Sequence, residues 1–395
     1  MNLRKYFLAS ALAISLASIT TGCSIFGGDK DTIEISPSPE TQTPFPLSQL
    51  WSNSLSGNTK IYSQLSPTVN NNIVYAAGRG GEVKAIELST GKTLWNIDLS
   101  NSSFFHSQSA LLSGGVSADD KYVYLGSERA NVYALDKNNG NIIWQKQAKG
   151  EVLAKPIAPE NEVIIRTTNG YLQAFEQDTG NLAWEIQMDD EPTLSLRGQS
   201  NPTAAYGAII LGDDSGHVNA YFTKDGQLIW QQRISQPSGS TEIAKLNDVD
   251  TTPIVEQGLV YAIGYNGNIA ALDLSNGQII WKKALSSTHS FVMNQDRIFV
   301  VDQDDNLYAL SKNGGSIIWK QSDLLHRQLT NPIIYQNYVI VGDYEGYLYL
   351  IDINSGDIIS KTQVSSSGLA NEPVVADNKI IIQAKNGNVY TFGQK

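Results

Sequence analysis

The side chains that do most enzymatic chemistry are sparse and scattered in this sequence. Its 395 residues hold one cysteine, Cys23, and four histidines, His106, His217, His289 and His326. The histidines have no metal-ligand spacing. Asp302-Gln-Asp-Asp-Asn306 has the acidic look of a calcium loop but lacks its glycine and its distal glutamate. It falls where other parts of the chain carry Tyr-Asn-Gly, Asp-Asp-Ser-Gly and Asp-Tyr-Glu-Gly, so a turn is expected there. No Ser-His-Asp set and no phosphate loop is apparent. The sequence therefore calls for no catalytic residue, no metal and no cofactor. Two other spacings remain. Leu194-Ser195-Leu196-Arg197 puts two leucines on one side of a short extended piece, with an arginine beside them. Asp248-Val249-Asp250 does the same with two carboxylates. Apolar area, a guanidinium and carboxylates together suit a protein contact. Core leucines and an internal ion pair are the plainer reading of the same residues.

Cys23 has a different setting. Arg4 and Lys5 form a basic head, and Phe7 to Ile19 is an apolar run too short to span a bilayer. Thr-Thr-Gly-Cys-Ser follows, with Gly22 directly before Cys23. This resembles a bacterial lipobox, with Thr20 standing where leucine is usual. It implies a signal peptide over residues 1–22 and a mature chain that begins at Cys23 with lipid on its sulfur and amino group. Ser24, in place of an inner-membrane retention aspartate, points to the outer membrane on its periplasmic side. Residues 23–46 carry Pro37, Pro39, Pro44 and Pro46 among polar residues and read as a lipid-bearing tether. Net charge is −11, and losing Arg4 and Lys5 makes it −13. That excludes nucleic acid as a partner and disfavours broad contact with anionic lipid.

The elements that position these residues come from a repeat. "AIELSTGKTLW" begins at Ala85, and versions of it begin at Ala134, Ala174, Ala220, Ala271 and Ala309. Its glycine recurs at Gly91, Gly140, Gly180, Gly226, Gly277, Gly315 and Gly356, spaced by 49, 40, 46, 51, 38 and 41 residues. Periods in the forties with strand-like segments and Gly turns indicate four antiparallel strands per unit and a β-propeller. The Trp that ends each copy is expected at the seam between blades. The seventh copy has Ser360 there, so a weaker seam is expected. The last unit has three strands, and the Trp51 segment supplies a fourth, closing an all-β, eight-bladed ring over residues 47–395 without an open edge. The long intervals come from extra residues after the Trp strands of the first, third and fourth units. Those connections emerge on one face, and the second and third leave consecutive blades, which brings Leu194–Arg197 near Asp248–Asp250.

The repeat resembles the A-x-D-x-x-T-G-x-x-x-W unit of the pyrroloquinoline-quinone dehydrogenase propellers. Those enzymes hold calcium, an aspartate base and a quinone laid on a tryptophan, and many close two adjacent cysteines over it. Here the one cysteine is assigned to lipid and every Trp to a blade seam. The stretches "LSLRGQS", "GSTEI", "DVDTTP", "QSDLLHR", "GDYEGYLY" and "QAKNG" resemble more narrowly the propeller lipoproteins of the outer-membrane β-barrel assembly machine. That resemblance implies a non-catalytic scaffold that binds the periplasmic POTRA domains of BamA and aids insertion of outer-membrane proteins. It implies Leu194, Leu196, Arg197, Asp248 and Asp250 as the partner-binding residues. Unfolded clients could add to free strand edges. The alternative on the same fold is a periplasmic quinoprotein-like dehydrogenase or a ligand-sensing propeller.

Overall fold

The computed structural model describes residues 33–55, 65–103, 106–188, 195–196, 198, 200–236, 240–241, 243 and 245–394. Cys23 and the signal peptide lie outside them. The unit from Ser36 to Lys395 is all β: its blades are eight antiparallel sheets, seven of them runs of consecutive strands and the eighth completed by the N-terminal strand. Blade 5 is representative, with strands Ile254–Glu256, Leu259–Ile263, Asn268–Asp273 and Ile279–Ala284. Its second and third strands are buried through their middles, because each lies between two other strands and two neighbouring blades. The core is accordingly a circle of apolar clusters between blades, of which Val260, Ala262, Ala270 and Leu272 against Ala220 and Trp230 are one.

The Gly and Trp of the repeat meet across each seam. Every Trp donates its indole N–H to a carbonyl just past the third strand of the next blade, over 2.7–3.1 Å: Trp51 to Leu88, Trp95 to Lys137, Trp144 to Gln177, Trp184 to Thr223, Trp230 to Leu274, Trp281 to Lys312 and Trp319 to Ile353. The repeat glycine of that same next blade lies flat on the indole. Gly277 has φ +74°, and a Cβ there would sit 2.6 Å from Cε3 of Trp230. Its conservation of form across the copies thus has two causes, a left-handed turn and the ring beneath it. Gly277→Ala is expected to cost about 2–4 kcal/mol, from backbone strain and overpacking together, read as a lower urea midpoint with an unchanged slope. A variant as stable as the wild type would remove the glycine-on-indole contact from the account.

Ser360 departs from the expectation of a weak seam. Blade 8 is built from Val374–Ala376, Lys379–Gln383 and Val389–Gly393, and its fourth strand is Ser48–Asn53, paired with the third by Ser48↔Gly393 through Asn53↔Val389. No turn joins those two strands, so blade 8 has no turn glycine or carbonyl for a tryptophan of blade 7 to meet. The chain before Ser48 fills the seam instead. Leu47 is buried there with Val364 and Phe392, and Phe45 packs edge-on to Phe392 with ring centroids 6.2 Å apart. Farther back, Ser36 donates its N–H to the Leu325 carbonyl and accepts from Arg327 Nη1 at 2.8 Å, while Ser38 Oγ meets Tyr349 Oη and Lys361 Nζ. Arg327 is buried on Asp343. Residues 36–46, assigned by composition to the tether, therefore form a strap down the seam of blades 7 and 8.

Blade 3 is the other departure. Its sheet has three strands, Glu162–Arg166, Tyr171–Glu176 and Leu182–Gln187, and its first strand is reduced to the Ile157↔Ile164 bridge. Pro159 occupies the position of Glu256 in blade 5 and has no N–H to donate to the second strand.

Candidate partner-binding surface

In an antiparallel four-stranded blade, the connection between blades and the turn between second and third strands fall on the same end. That end collects the added loops. After blade 1 the extra residues form a small hairpin, Asn101–Ser103 with His106–Gln108. After blade 4, residues 234–251 cross to blade 5. The segment carrying Asp248 and Asp250 is wedged between two turns: Val249 donates its N–H to the Asp213 carbonyl, and Tyr265 donates to the Asp248 carbonyl, at 2.9 and 2.8 Å. Asp213 saturates its own turn, accepting from the N–H groups of Ser215 and His217, from Asn219 Nδ2 and from His217 Nδ1. His217 is thus committed to the turn. Asp302 does the same in blade 6, accepting from Asp304 and Asn306, so the acidic Asp302–Asn306 string is a turn.

The structure brings Leu196, Asp248 and Asp250 together. Leu196, half-buried, donates its N–H to Asp248 Oδ2 at 2.5 Å, and Gly198 lies against the Asp250 carboxylate. Leu194 and Arg197 lie outside the described residues. Asp248 is 1% exposed, which differs from the surface charge expected from sequence; it acts through the loop it holds. Sequence reasoning missed two further groups on this side of the blades. Arg166 ends the second strand of blade 3, is fully buried, and forms an ion pair with Asp214. Only its place at the end of the apolar run Val-Ile-Ile hinted that it points inward. Ile243, 70% exposed on the loop between blades 4 and 5, adds apolar area that no spacing marked.

Among the described residues, negative charge is in excess at this site. Burial pushes the Asp248 carboxyl up to about 6; the Leu196 N–H opposes this and Asp214 adds to it. Burial, then Asp248 and Asp214, raise Asp250 well above the usual range, and Arg166 offsets only part of that. Burial works against the Arg166 charge, but Asp214 and Asp250 outweigh it and hold its pKa up. Among the described residues, Oδ1 of Asp248 and Oδ1 of Asp250 have no hydrogen-bond partner. Desolvated carboxyl oxygens without a partner among the described residues are costly in isolation.

A pH dependence follows. Unfolded, an aspartate ionises near 4; folded, Asp248 holds its proton until about 6. Between those values the native state binds more protons, so the stability this group contributes is full below pH 4 and is lost as pH rises through 6. The difference is on the order of 2–3 kcal/mol. Asp248→Asn keeps an acceptor for Leu196 without the charge. It is expected to be more stable than wild type at pH 7 and to match it near pH 4 in urea titrations. A gap of the same size at both pH values would contradict this origin.

Comparisons with known proteins agree with the architecture. The family profile described as outer membrane protein assembly factor BamB matches residues 47–110 and 79–321. The outer membrane protein assembly factor BamB of Yersinia pestis is 46% identical over 341 residues, covering 86% of each chain. The crystal structure of BamB from Moraxella catarrhalis superposes with a TM-score of 0.79 at 26% identity, covering 88% of this chain and 99% of that one. Quinohemoprotein alcohol dehydrogenase from Comamonas testosteroni, with a TM-score of 0.69 at 14% identity over 89% of this chain and 77% of its own, shares the fold alone.

Proposed function

The chain belongs to the BamB family of outer membrane protein assembly factors, and from that membership we propose that it is a lipid-anchored scaffold that docks the periplasmic POTRA domains of BamA on the loop face of blades 3 to 5. It is a non-catalytic assembly factor, and its work is to hold that partner while β-barrel proteins are inserted. The observation that carries the reading is the clasp at Asp248. The buried Asp248 carboxylate holds Leu196 by its backbone N–H, which gives the segment that carries the Leu-Ser-Leu-Arg sequence a fixed point of support. Rigid support limits the ordering cost of binding, and leucine and arginine supply packing and charge to the contact. Purifying the intact lipoprotein from its own membrane tests this. BamA is expected among its stable partners, and its absence would count against the scaffold reading.

The anchor is proposed at Cys23. The strap holds the chain at Ser36, and the stretch from Cys23 to that point is long enough to span at most roughly 40 Å. Cys23→Ala is expected to release a folded propeller from the outer membrane into the soluble periplasmic fraction. Retention of that variant in the outer membrane of cells lacking BamA would contradict lipid anchoring.

A further inference from the structure

The first strand of each blade lines the central channel, and the residue just before its proline, or before the residue in that place, faces inward. Blades 3 to 8 present Lys155, Asn201, Thr252, Ser290, Asn331 and Glu372 there, and these residues are linked. Asn201 Oδ1 accepts the Lys155 N–H at 2.7 Å, and its Nδ2 donates to Thr252 Oγ1 at 3.1 Å. Ser290 Oγ accepts the Thr252 N–H at 3.1 Å, and Asn331 Oδ1 accepts the Ser290 N–H at 3.1 Å. Asn331 Nδ2 then donates to Glu372 Oε2 at 3.3 Å. The girdle stops at this point. Blades 1 and 2 place only Ser66 and Gly115 in the gap, so the arc ends in a cation on one side and an anion on the other.

Those ends are unspent. The Lys155 stem lies along Gly115, and its ammonium makes no hydrogen bond or ion pair among the described residues. It is half-buried by area yet ringed by protein, and this desolvation lowers its pKa, with Glu372 opposing only in part. Burial likewise raises Glu372, against Asn331 and Lys155. Next to Glu372, the buried Oδ1 of Asn371 has no hydrogen-bond partner among the described residues. The cavity these groups share is about 850 Å³, within the range of small-ligand sites. Of the other carboxylates on its wall, Asp305 accepts the N–H groups of Gln328 and Leu329, Glu128 pairs with Arg79, and Asp250 lies in the field of the Arg166 guanidinium.

A ligand of one sign would neutralise one end of the arc and face like charge at the other. A ligand carrying both signs meets both ends without adding net charge to a desolvated site. We propose that the channel binds a short zwitterionic peptide, its carboxylate on Lys155, its ammonium on Glu372 and its amides on the asparagine side chains of the girdle. Leu196, Gly198 and Asp250 line the same cavity, so the site adjoins the BamA-docking loop, but the proposal rests on Lys155 and Glu372 and its test does not depend on BamA.

The test is calorimetric titration of the full chain in detergent with triglycine, N-acetyltriglycine and triglycine amide. Triglycine is expected to bind, and capping either end to weaken it by about tenfold or more. Lys155→Met is expected to lose the penalty for amidation, and Glu372→Gln the penalty for acetylation. No heat with triglycine, or equal affinity for the capped peptides, would overturn the proposal. The capped peptides test it on the wild-type protein even if a variant folds poorly.

Discussion

Deleting residues 36–53 is expected to yield a protein that loses its cooperative unfolding transition and aggregates. The deletion strips the third strand of blade 8, Val389–Gly393, of its outer partner and exposes a strand edge in a protein whose ring otherwise closes on itself. It also removes the strap that fills the seam beside Ser360. What binds blade 8 to blade 1 goes too. Trp51 is buried against Ile86, Leu88 and Val389 and donates to the Leu88 carbonyl, and Asn53 Nδ2 donates to Gly91 O and Thr93 Oγ1. The single change Trp51→Ala is the graded version, expected to cost about 3–5 kcal/mol. Urea unfolding followed by tryptophan emission and light scattering reads both. A deletion variant that stays monodisperse and unfolds at the wild-type midpoint would mean that closure through the N-terminal strand contributes little.

The second large effect is on binding. Arg197→Ala, or Leu194→Ala with Leu196→Ala, is expected to weaken the complex with BamA by about tenfold or more, equivalent to about 1.4 kcal/mol per decade. The fold should be nearly unaffected, since Leu196 is half-buried in a loop outside every apolar cluster of the core. Asp248 behaves differently. Removing its side chain frees the Leu196 backbone and the loop with it, so Asp248→Ala should lower affinity by loosening the support. Asp248→Asn, which keeps the acceptor, should retain more binding. A leucine double variant that loses several kcal/mol of stability would assign both leucines to the core instead.

Much of the fold was legible because a propeller repeats its own evidence. Gly277 and Trp281 each recur at fixed offsets, and a residue type that recurs at one register must satisfy one geometry several times over. The Asn-Gly and Asp-Gly turns then fixed where strands end. What failed to show were the places where a copy deviates for reasons held by distant residues. Ser360 looked like a defect because the missing partner, a turn in the next blade, is absent through chain topology and not through local sequence. The strap at Ser36 looked like tether because the groups that hold it, Arg327 and Tyr349, lie 291 and more residues away. Pro159 carried a readable signal, a lost donor at a strand position, yet nothing in its own copy distinguished it from the prolines that begin other first strands. At the candidate surface, the Asp-Val-Asp spacing marked two carboxylates that lie against Leu196 and Gly198, but not their depth. Burial of Asp248 depends on the turns of blades 4 and 5 closing around it, and alternation along three residues carries no information about that.

Site-specific photocrosslinking in intact cells tests the docking face most directly. A photoreactive residue at position 196 sits on the loop face of blade 4. Tyr206, 83% exposed in the turn between the first and second strands of the same blade, sits on the opposite face. Adducts with BamA are expected from position 196 and not from position 206. Adducts from 206 alone, or none from 196 with the lipoprotein at wild-type abundance, would contradict the assignment of that face.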